Sequence, residues 1–278
     1  MSSLSNNTQD IEIRNPELWT LILRLDEDSV KFILYSDEVE NSLISRELRL
    51  DVNAGGYLKA LENCIYDNPT LIQDYKQVAV SVLSSHFAIF PVEVGDEDTI
   101  QDAMDYMYAD DEGDCISSEL ISGKSTIAFK MSRGVTSFLQ RTFNMPLIVH
   151  RLVPLCSYSN KKSEKSGISK MYVHVNDNNM DLCVFRKGEL LMANTFHLRD
   201  DDEAVYYMLN AWQSLELDVM TDELQLSADK SVRDKLTPQL RKYITYVMPI
   251  IFPASAMKIG QDAMKAPFDL ILLSQFVL

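Results

Sequence analysis

The apolar and polar positions along this chain follow the same order of elements twice. Near the start, three apolar stretches joined by short polar turns predict consecutive strands, and a helix and another strand follow. Roughly 150 residues later the same order recurs. The first set comprises Leu18–Leu25, Val30–Tyr35, Ser42–Leu50, Gly55–Ile65 and Gln77–Leu83, and the second comprises Lys170–Val175, Asp181–Arg186, Glu189–Leu198, Glu203–Leu215 and Glu223–Leu226. This repetition predicts two related lobes facing each other across a central cleft.

The segments outside the two repeats complete the predicted α/β pattern. Helical spacing of apolar residues predicts three more helices, and apolar runs predict further strands, among them a buried strand at Phe268–Leu273. The helices are Asp96–Tyr108, Val135–Phe143 and Val232–Tyr243, and the strands are Phe87–Val92, Cys115–Ile121, Ser125–Met131 and Thr245–Phe252. The polar segment 157–167 predicts a linker, so we expect a first lobe over 1–156 and a second over 168–278.

The composition and net charge of the chain disfavour several classes of function and location. With 41 acidic and 26 basic residues the formal net charge is −15, which disfavours nucleic-acid binding and attachment to an anionic membrane. The four cysteines stand singly, without zinc spacing, as in reduced cytosolic proteins. The first ten residues lack the cationic and apolar parts of a signal peptide, and no apolar run is long enough to span a membrane. We therefore expect a soluble cytoplasmic protein.

Two motifs near the C-terminus carry a resemblance to a known family. They are Phe252-Pro253-Ala254 and Ala266-Pro267-Phe268-Asp269-Leu270, the second leading into an apolar run. Together with the repeated three-strand meander, they resemble a family of uncharacterised proteins from the Bacteroidetes with an actin-like ATPase fold. The resemblance extends from about Pro16 to Leu278. It implies duplicated actin-like (ribonuclease H-like) lobes of βββαβαβα order around a cleft, as in actin, sugar kinases and heat-shock ATPases.

The resemblance also implies where a nucleotide would bind. Active members of that superfamily hold phosphates at the turn between the first two strands of each lobe, where an aspartate precedes glycines. In this chain the first turn is Asp26-Glu27-Asp28-Ser29, and Asp26 matches the family aspartate. Acidic side chains replace the expected glycines, so they would repel a triphosphate and prevent close approach of the backbone. Ser29 and Lys31 are the other candidate phosphate contacts in this loop.

The second turn departs from the pattern in the same way. It reads Asn176-Asp177-Asn178-Asn179, without glycine, and Asp177 is its one carboxylate. Asparagine suits a tight hairpin turn, but its side chain does not leave room for a phosphate. The glycine-rich adenosine motif of active relatives is reduced to Gly260. If a nucleotide binds, Asp26 and Asp177 are the predicted Mg²⁺ ligands; otherwise no cofactor is expected.

Other motifs favour structural interpretations. Gly123-Lys124-Ser125 resembles the end of a Walker A loop, but Ser118 stands where its first glycine belongs, and a hairpin turn is expected. The four histidines are single, and His86 and His174 meet only if the fold brings both to the cleft. Between Asp96 and Asp114 there are nine acidic residues and no Lys or Arg. That region is a solvated face or a docking surface, for which Tyr106, Met107 and Tyr108 supply apolar anchors.

Two functions remain open. The first is a non-catalytic or weakly nucleotide-binding interaction or regulatory module, which engages a protein partner through the acidic 96–114 region. The second is an ATPase or small-molecule kinase that uses Mg-ATP in the cleft. A third possibility, a subunit of a filament or of a membrane-associated complex, rests on fold analogy alone.

Overall fold

The structure is a computed structural model that describes residues 13–94 and 96–277. The chain forms two compact units. The first unit contains the described residues of Met1–Ser118, Thr126–His150 and Ala254–Leu278, and the second contains Glu119–Ser125 and Arg151–Pro253. The chain thus leaves the first unit after His150 and returns to it at Ala254.

Strands and helices alternate in both units, joined by short turns of 3₁₀ helix. The strands are β1 (Thr20–Leu25), β2 (Ser29–Tyr35), β3 (Ile44–Arg49), β4 (Gln77–Val82), β5 (Phe87–Pro91), β6 (Asp114–Ile121), β7 (Ser125–Met131), β8 (Leu147–His150), β9 (Ser169–Asn176), β10 (Asn179–Arg186), β11 (Glu189–His197), β12 (Glu223–Ser227) and β13 (Tyr246–Pro249). The helices are α1 (Gly56–Tyr66), α2 (Glu97–Met107), α3 (Arg133–Thr142), α4 (Leu152–Ser163), α5 (Asp201–Ser214), α6 (Lys230–Leu240) and α7 (Phe268–Val277). No helix in the described residues is both long and apolar enough to cross a membrane.

Each unit is built on a five-stranded sheet with the same strand order. The order is β3-β2-β1-β4-β8 in the first unit and β11-β10-β9-β12-β13 in the second. In both sheets the first three strands of the chain pair antiparallel and the last two add in parallel. The two sheets confirm the predicted duplication and the βββαβαβα order.

A pair of helices covers one face of each sheet. In the first unit, α1 and α3 contribute residues such as Leu61 and Phe138 to a core with the apolar side chains of β1, β2 and β4. In the second unit, α5 and α6 do the same with Trp212 and Leu236. The removal of these apolar side chains from water is the main force that holds each sheet and its helix pair together.

The other face of each sheet is covered by a helix that follows a strand of the other unit. Helix α4 comes directly after β8 of the first unit, yet it packs on β9, β10 and β11 of the second unit. Helix α7 follows the last strand of the second unit and packs against β1 of the first. The duplication therefore includes the covering helices as well as the sheets.

A three-stranded sheet with strand order β5-β7-β6 is inserted in the first unit between β4 and α3. Helix α2 packs on it through a small core that includes Ile100, Met104 and Ala128. The helix starts at Asp96, whose carboxylate accepts a hydrogen bond of 2.9 Å from the Thr99 amide. This cap satisfies one of the backbone amides that lack a partner in the first turn of a helix.

Two local predictions are wrong. Phe268–Leu273 is not a strand but the beginning of helix α7, because a short apolar run fits a buried helix as well as a buried strand. The segment 157–167 is not a linker throughout, because α4 continues to Ser163. Its polar composition predicts exposure to solvent, but Ser159 and Ser163 are buried in α4. Their small side chains permit close packing there.

Candidate functional site

The candidate site of the first unit is the turn between β1 and β2. Asp26 follows β1 directly, and the Asp26 amide donates a hydrogen bond of 3.0 Å to the Ser29 carbonyl, which closes the turn. The Asp26 carboxylate accepts a hydrogen bond of 3.0 Å from Nε of Arg24. The Lys31 ammonium lies 3.9 Å from the same carboxylate oxygen. The predicted metal ligand is thus already in contact with two cations of its own chain.

Arg24 is the centre of this cluster. Its side chain is almost completely buried, and its Nη1 donates a hydrogen bond of 2.8 Å to the carboxylate of Asp269 at the start of α7. Burial lowers the pKa of Arg24, but the two carboxylates raise it by more, so the guanidinium stays charged. Burial is also the largest influence on Asp26 and raises the pKa of that carboxyl in spite of Arg24 and Lys31. Two cations and two carboxylates therefore balance each other within the cluster.

The other residues of the first turn point in different directions. Ser29 is buried at the start of β2, whereas Glu27 and Asp28 are exposed. The Asp28 carboxylate accepts a hydrogen bond of 2.9 Å from Arg49 on β3, at the surface. Glu27 and Asp28 thus place side chains where glycines would let a phosphate approach the backbone.

The candidate site of the second unit is the turn between β9 and β10. Asn176 ends β9, and Asp177 adopts a left-handed backbone conformation with φ of 52°. Asp177 and Asn178 form the exposed tip of the hairpin. The geometry is that of a tight hairpin turn, in which Asn and Asp tolerate positive φ.

Strand register identifies which residues of the two units correspond. Arg24 is opposite Ser81 of β4, and His174 is opposite Ser227 at the same position of β12. Arg24 therefore corresponds to His174. Lys31 of β2 lies opposite Arg24, and Asp181 of β10 lies opposite His174, so these two residues also correspond. The face that is cationic in the first sheet holds an aspartate in the second.

Asp181 forms the buried ion pair of the second unit. Nε of Arg151, at the start of α4, donates a hydrogen bond of 2.7 Å to Oδ2 of Asp181. The Thr195 hydroxyl donates a second bond, also of 2.7 Å, to Oδ1. Nη2 of Arg151 is buried and has no hydrogen-bond partner among the described residues. A covering helix is thus tied to its sheet by a buried ion pair in both units.

Gly260 lies away from the first turn. It belongs to the first unit and precedes the 3₁₀ turn Gln261–Lys265. Its α-carbon packs on the segment before β3, where an added Cβ would come 3.3 Å from the Cβ of Leu43. That segment follows β2, whereas Asp26 precedes β2, so the two residues lie beyond opposite ends of one strand. Gly260 here permits a close approach of two backbone segments, with φ of 154°.

The structure groups the candidate residues by unit. Asp26, Ser29 and Lys31 lie at one turn of the first unit, and Asn176 and Asp177 lie at one turn of the second. The described residues contain no group of three or more His, Cys, Asp or Glu side chains that could hold a metal ion. A shared metal between Asp26 and Asp177 stays a prediction, as does the cleft between the lobes.

The remaining motifs of the sequence are Gly123-Lys124-Ser125 and the single histidines. Gly123-Lys124-Ser125 forms the predicted hairpin turn between β6 and β7, with Gly123 at φ of 67°. His174 contacts the Ser227 hydroxyl at 3.2 Å in the second unit. His86, in the first unit, contacts the carboxylate of Asp111 at 2.6 Å.

Sequence reasoning missed the arginines and their partners. Arg24 was visible as a charged residue within an otherwise apolar strand, and such a side chain requires a carboxylate when it is buried. Asp269, its partner on α7, is 245 positions away in the sequence. No local pattern connects residues at that separation, so only the fold identifies the pair.

Comparisons with known proteins agree with this architecture. A protein from Bacteroides thetaiotaomicron, described as having an actin-like ATPase fold and unknown function, is 24% identical, with a TM-score of 0.75 over 92% of this chain and 96% of that one. The PilM-PilN type IV pilus biogenesis complex contains a chain that is 11% identical, with a TM-score of 0.58 over 95% of this chain and 100% of that one. The similarity to the Bacteroides protein shows the actin-like fold. No curated protein sequence matches the chain.

A family model covers most of the sequence. It matches residues 8–247, which is more than half of the 278 residues. The matched range includes both five-stranded sheets apart from the end of β13. The chain therefore belongs to the family described as "Protein of unknown function (DUF3822)".

Proposed function

We propose that this chain is a protein-interaction module of actin-like fold that does not catalyse ATP hydrolysis and binds nucleotide weakly or not at all. The observation that supports this most directly is the ion-pair cluster at the first turn. In that cluster Arg24 and Lys31 contact the one carboxylate that matches the superfamily's metal-linked aspartate.

Magnesium would have to compete with these cations for Asp26. Withdrawing Asp26 from Arg24 would leave the buried guanidinium to its ion pair with Asp269. The metal would also have to compete with the Lys31 ammonium, 3.9 Å from the same carboxylate oxygen. Burial also raises the pKa of Asp26, whereas Mg²⁺ requires an ionised carboxylate. The cluster therefore opposes metal binding at this turn.

The second turn supports the same proposal. It offers the exposed side chains of Asp177 and Asn178 rather than a row of glycine amides. Phosphate cradles depend on backbone amides that approach the oxygens closely, and a side chain at each turn position hinders this approach. Both turns thus keep the hairpin of the actin-like fold without its phosphate-binding surface.

A protein partner is proposed in place of the nucleotide. The similar PilM-PilN type IV pilus biogenesis structure is a complex of two proteins. In this chain the surface we assign to a partner is the acidic region 96–114, which carries exposed Tyr106 and Met107 on the last turn of α2. Exposed aromatic and methionine side chains next to charged ones are typical of protein interfaces.

Thermal melting of the purified chain with millimolar Mg-ATP or Mg-ADP tests the proposal. We expect the melting temperature to change by less than about 1–2 °C, since a ligand stabilises only in proportion to its binding to the folded state. Asp177→Asn is the matched variant, because it removes the second candidate metal ligand and keeps a residue that tolerates positive φ.

Two results of these experiments would contradict the proposal. A rise of several degrees with Mg-ATP that is reduced in Asp177→Asn would replace this proposal by the second function, an ATPase or small-molecule kinase. Hydrolysis of ATP by the wild-type chain, lost in the same variant, would lead to the same conclusion.

A further inference from the structure

The first unit contains a cavity beside the acidic region. Its volume is about 570 Å³, within the range of small-ligand pockets. Helix α2, the loop after it, the start of β6, the end of β7 and one face of α3 form its walls. The lining residues are Gln101, Asp105, Tyr108, Ala109, Asp111, Glu112, Gly113, Asp114, Cys115, Ile116, Lys130, Arg133, Thr136 and Gln140.

Two contacts between cations and carboxylates, and one hydrogen bond from a backbone amide, fix the walls of this cavity. The Lys130 ammonium, on a buried side chain of β7, bonds to Asp105 of α2. Arg133 at the start of α3 lies 3.6 Å from the carboxylate of Asp114. Asp111 also accepts a hydrogen bond of 2.9 Å from the Gly113 amide, where an added Cβ would be 2.6 Å from the Met131 carbonyl oxygen. The cavity is therefore held open by a defined set of bonds.

The charges at the cavity favour a cationic occupant. Four carboxylates line it, against the two cations Lys130 and Arg133. Glu112 is exposed and pairs with none of the described residues, so its charge is available to a ligand. The neighbouring turns of α2 add further acidic residues and no Lys or Arg. Asp105, Asp111 and Asp114 are already paired with Lys130, His86 and Arg133. A lysine or arginine side chain would therefore pair with Glu112, in surroundings whose acidic residues repel an anion.

Two exposed apolar side chains, which lie outside the cavity lining but between its residues Asp105 and Tyr108 in the sequence, favour a protein as the source of the cation. Tyr106, on the helix that forms one wall, is 87% exposed, and Met107 next to it is 47% exposed. Large apolar side chains in such positions provide contact area for a partner chain. A free polyamine or a metal ion would leave both of them in water.

We propose that this cavity binds a lysine or arginine side chain of a partner protein, presented next to an apolar residue that packs on Tyr106 and Met107. This inference rests on the proposed function, because it names the chemistry of the partner segment. The acidic side chains orient the basic residue of the partner, and Tyr106 and Met107 provide contact area for its apolar neighbour.

Selection from a random peptide library displayed on phage, with the full chain as bait, tests this directly. We expect enriched peptides to carry Lys or Arg beside an apolar residue. Synthetic copies should bind Glu112→Lys at least about tenfold more weakly than wild type in fluorescence anisotropy. Exchange of the basic residue for Gln in the peptide should have a similar effect.

Glu38→Lys provides the matched control. It makes the same change of charge at an exposed position in the loop after β2, away from the cavity, and should bind the peptides like wild type. Absence of basic residues among the selected peptides, or equal binding to Glu112→Lys and wild type, would overturn the inference. Such a failure would leave the proposed function intact unless nucleotide also raised the melting temperature.

Discussion

In both units a buried ion pair joins the covering helix to the sheet, but the positive and negative residues are exchanged. In the first unit the arginine belongs to the sheet and the aspartate to the covering helix, through Arg24 and Asp269. In the second unit the helix brings Arg151 and the sheet carries Asp181. Sheet order and covering helix are the same in both, although Arg24 lies on β1 and Asp181 on β10, so the contact of helix with sheet requires a balanced pair of charges rather than one residue at one position. This is what a structural role demands.

The two pairs differ in how well each arginine is supported. Arg24 contacts two carboxylates, and Asp269 lies in the first turn of α7, where a negative charge is favoured by the helix dipole. Arg151 stands at the N-terminus of α4, where a positive charge is disfavoured, and its bonded carboxylate is that of Asp181. The second unit should therefore depend more strongly on a single ion pair.

Asp181→Ala tests this contrast with the largest expected effect. The change leaves the Arg151 guanidinium buried without its carboxylate and removes the acceptor of the Thr195 hydroxyl, so we expect a loss of about 3–5 kcal/mol in the free energy of unfolding. Urea unfolding measures the loss, and hydrogen exchange in peptides of the second unit shows where it occurs. A loss below about 1 kcal/mol would mean that the pair is not needed.

Asp269→Ala should destabilise the first unit by less, about 1–3 kcal/mol, because Arg24 keeps its bonds to Asp26. The same urea experiment gives the comparison. If Asp269→Ala cost as much as Asp181→Ala, the second carboxylate of Arg24 would provide no support, and the contrast between the units would be wrong.

Asp26→Asn should have a smaller effect still, below about 1 kcal/mol at neutral pH, since the amide oxygen can still accept a bond from Arg24 without an ionised group being buried. Burial raises the pKa of Asp26 above its ordinary value of 3.8, so the folded state binds its proton more tightly than the unfolded state does. Its contribution is present below that ordinary value and declines as pH rises through the raised pKa. The variant should lack this decline in urea unfolding measured across acidic pH.

His86→Ala tests an exposed pair and should have the smallest effect on stability. A hydrogen bond from His86 is the largest influence that lowers the pKa of Asp111. Stability from this pair is present above the ordinary carboxyl pKa and lost as pH falls through the lowered value. In the variant, NMR titration should show the Asp111 pKa returning toward its ordinary range. The pKa of Asp96, lowered by hydrogen bonds from Thr99, serves as the internal control.

The sequence was sufficient for the features that depend on local periodicity. Apolar stretches located the strands of both five-stranded sheets except β8, and Asp96 marked the start of α2, because these signals lie within a few residues of each other. Helix α7 could not be distinguished from a strand, since the run Leu270–Leu273 that follows Asp269 is apolar on every face. The pairing of Arg24 with Asp269 and of Arg151 with Asp181 could not be predicted, because each joins segments that only the folded topology brings together.

The return of the chain to its first unit has a consequence for synthesis. The 245 positions between Arg24 and Asp269 take about 12–50 s to translate at roughly 5–20 residues per second. During that interval the second sheet can form with its own covering helix α4, while the first sheet still lacks α7. The half of the protein that leaves the ribosome first is thus the half that is completed last, and in the meantime one face of its sheet is open to chaperones.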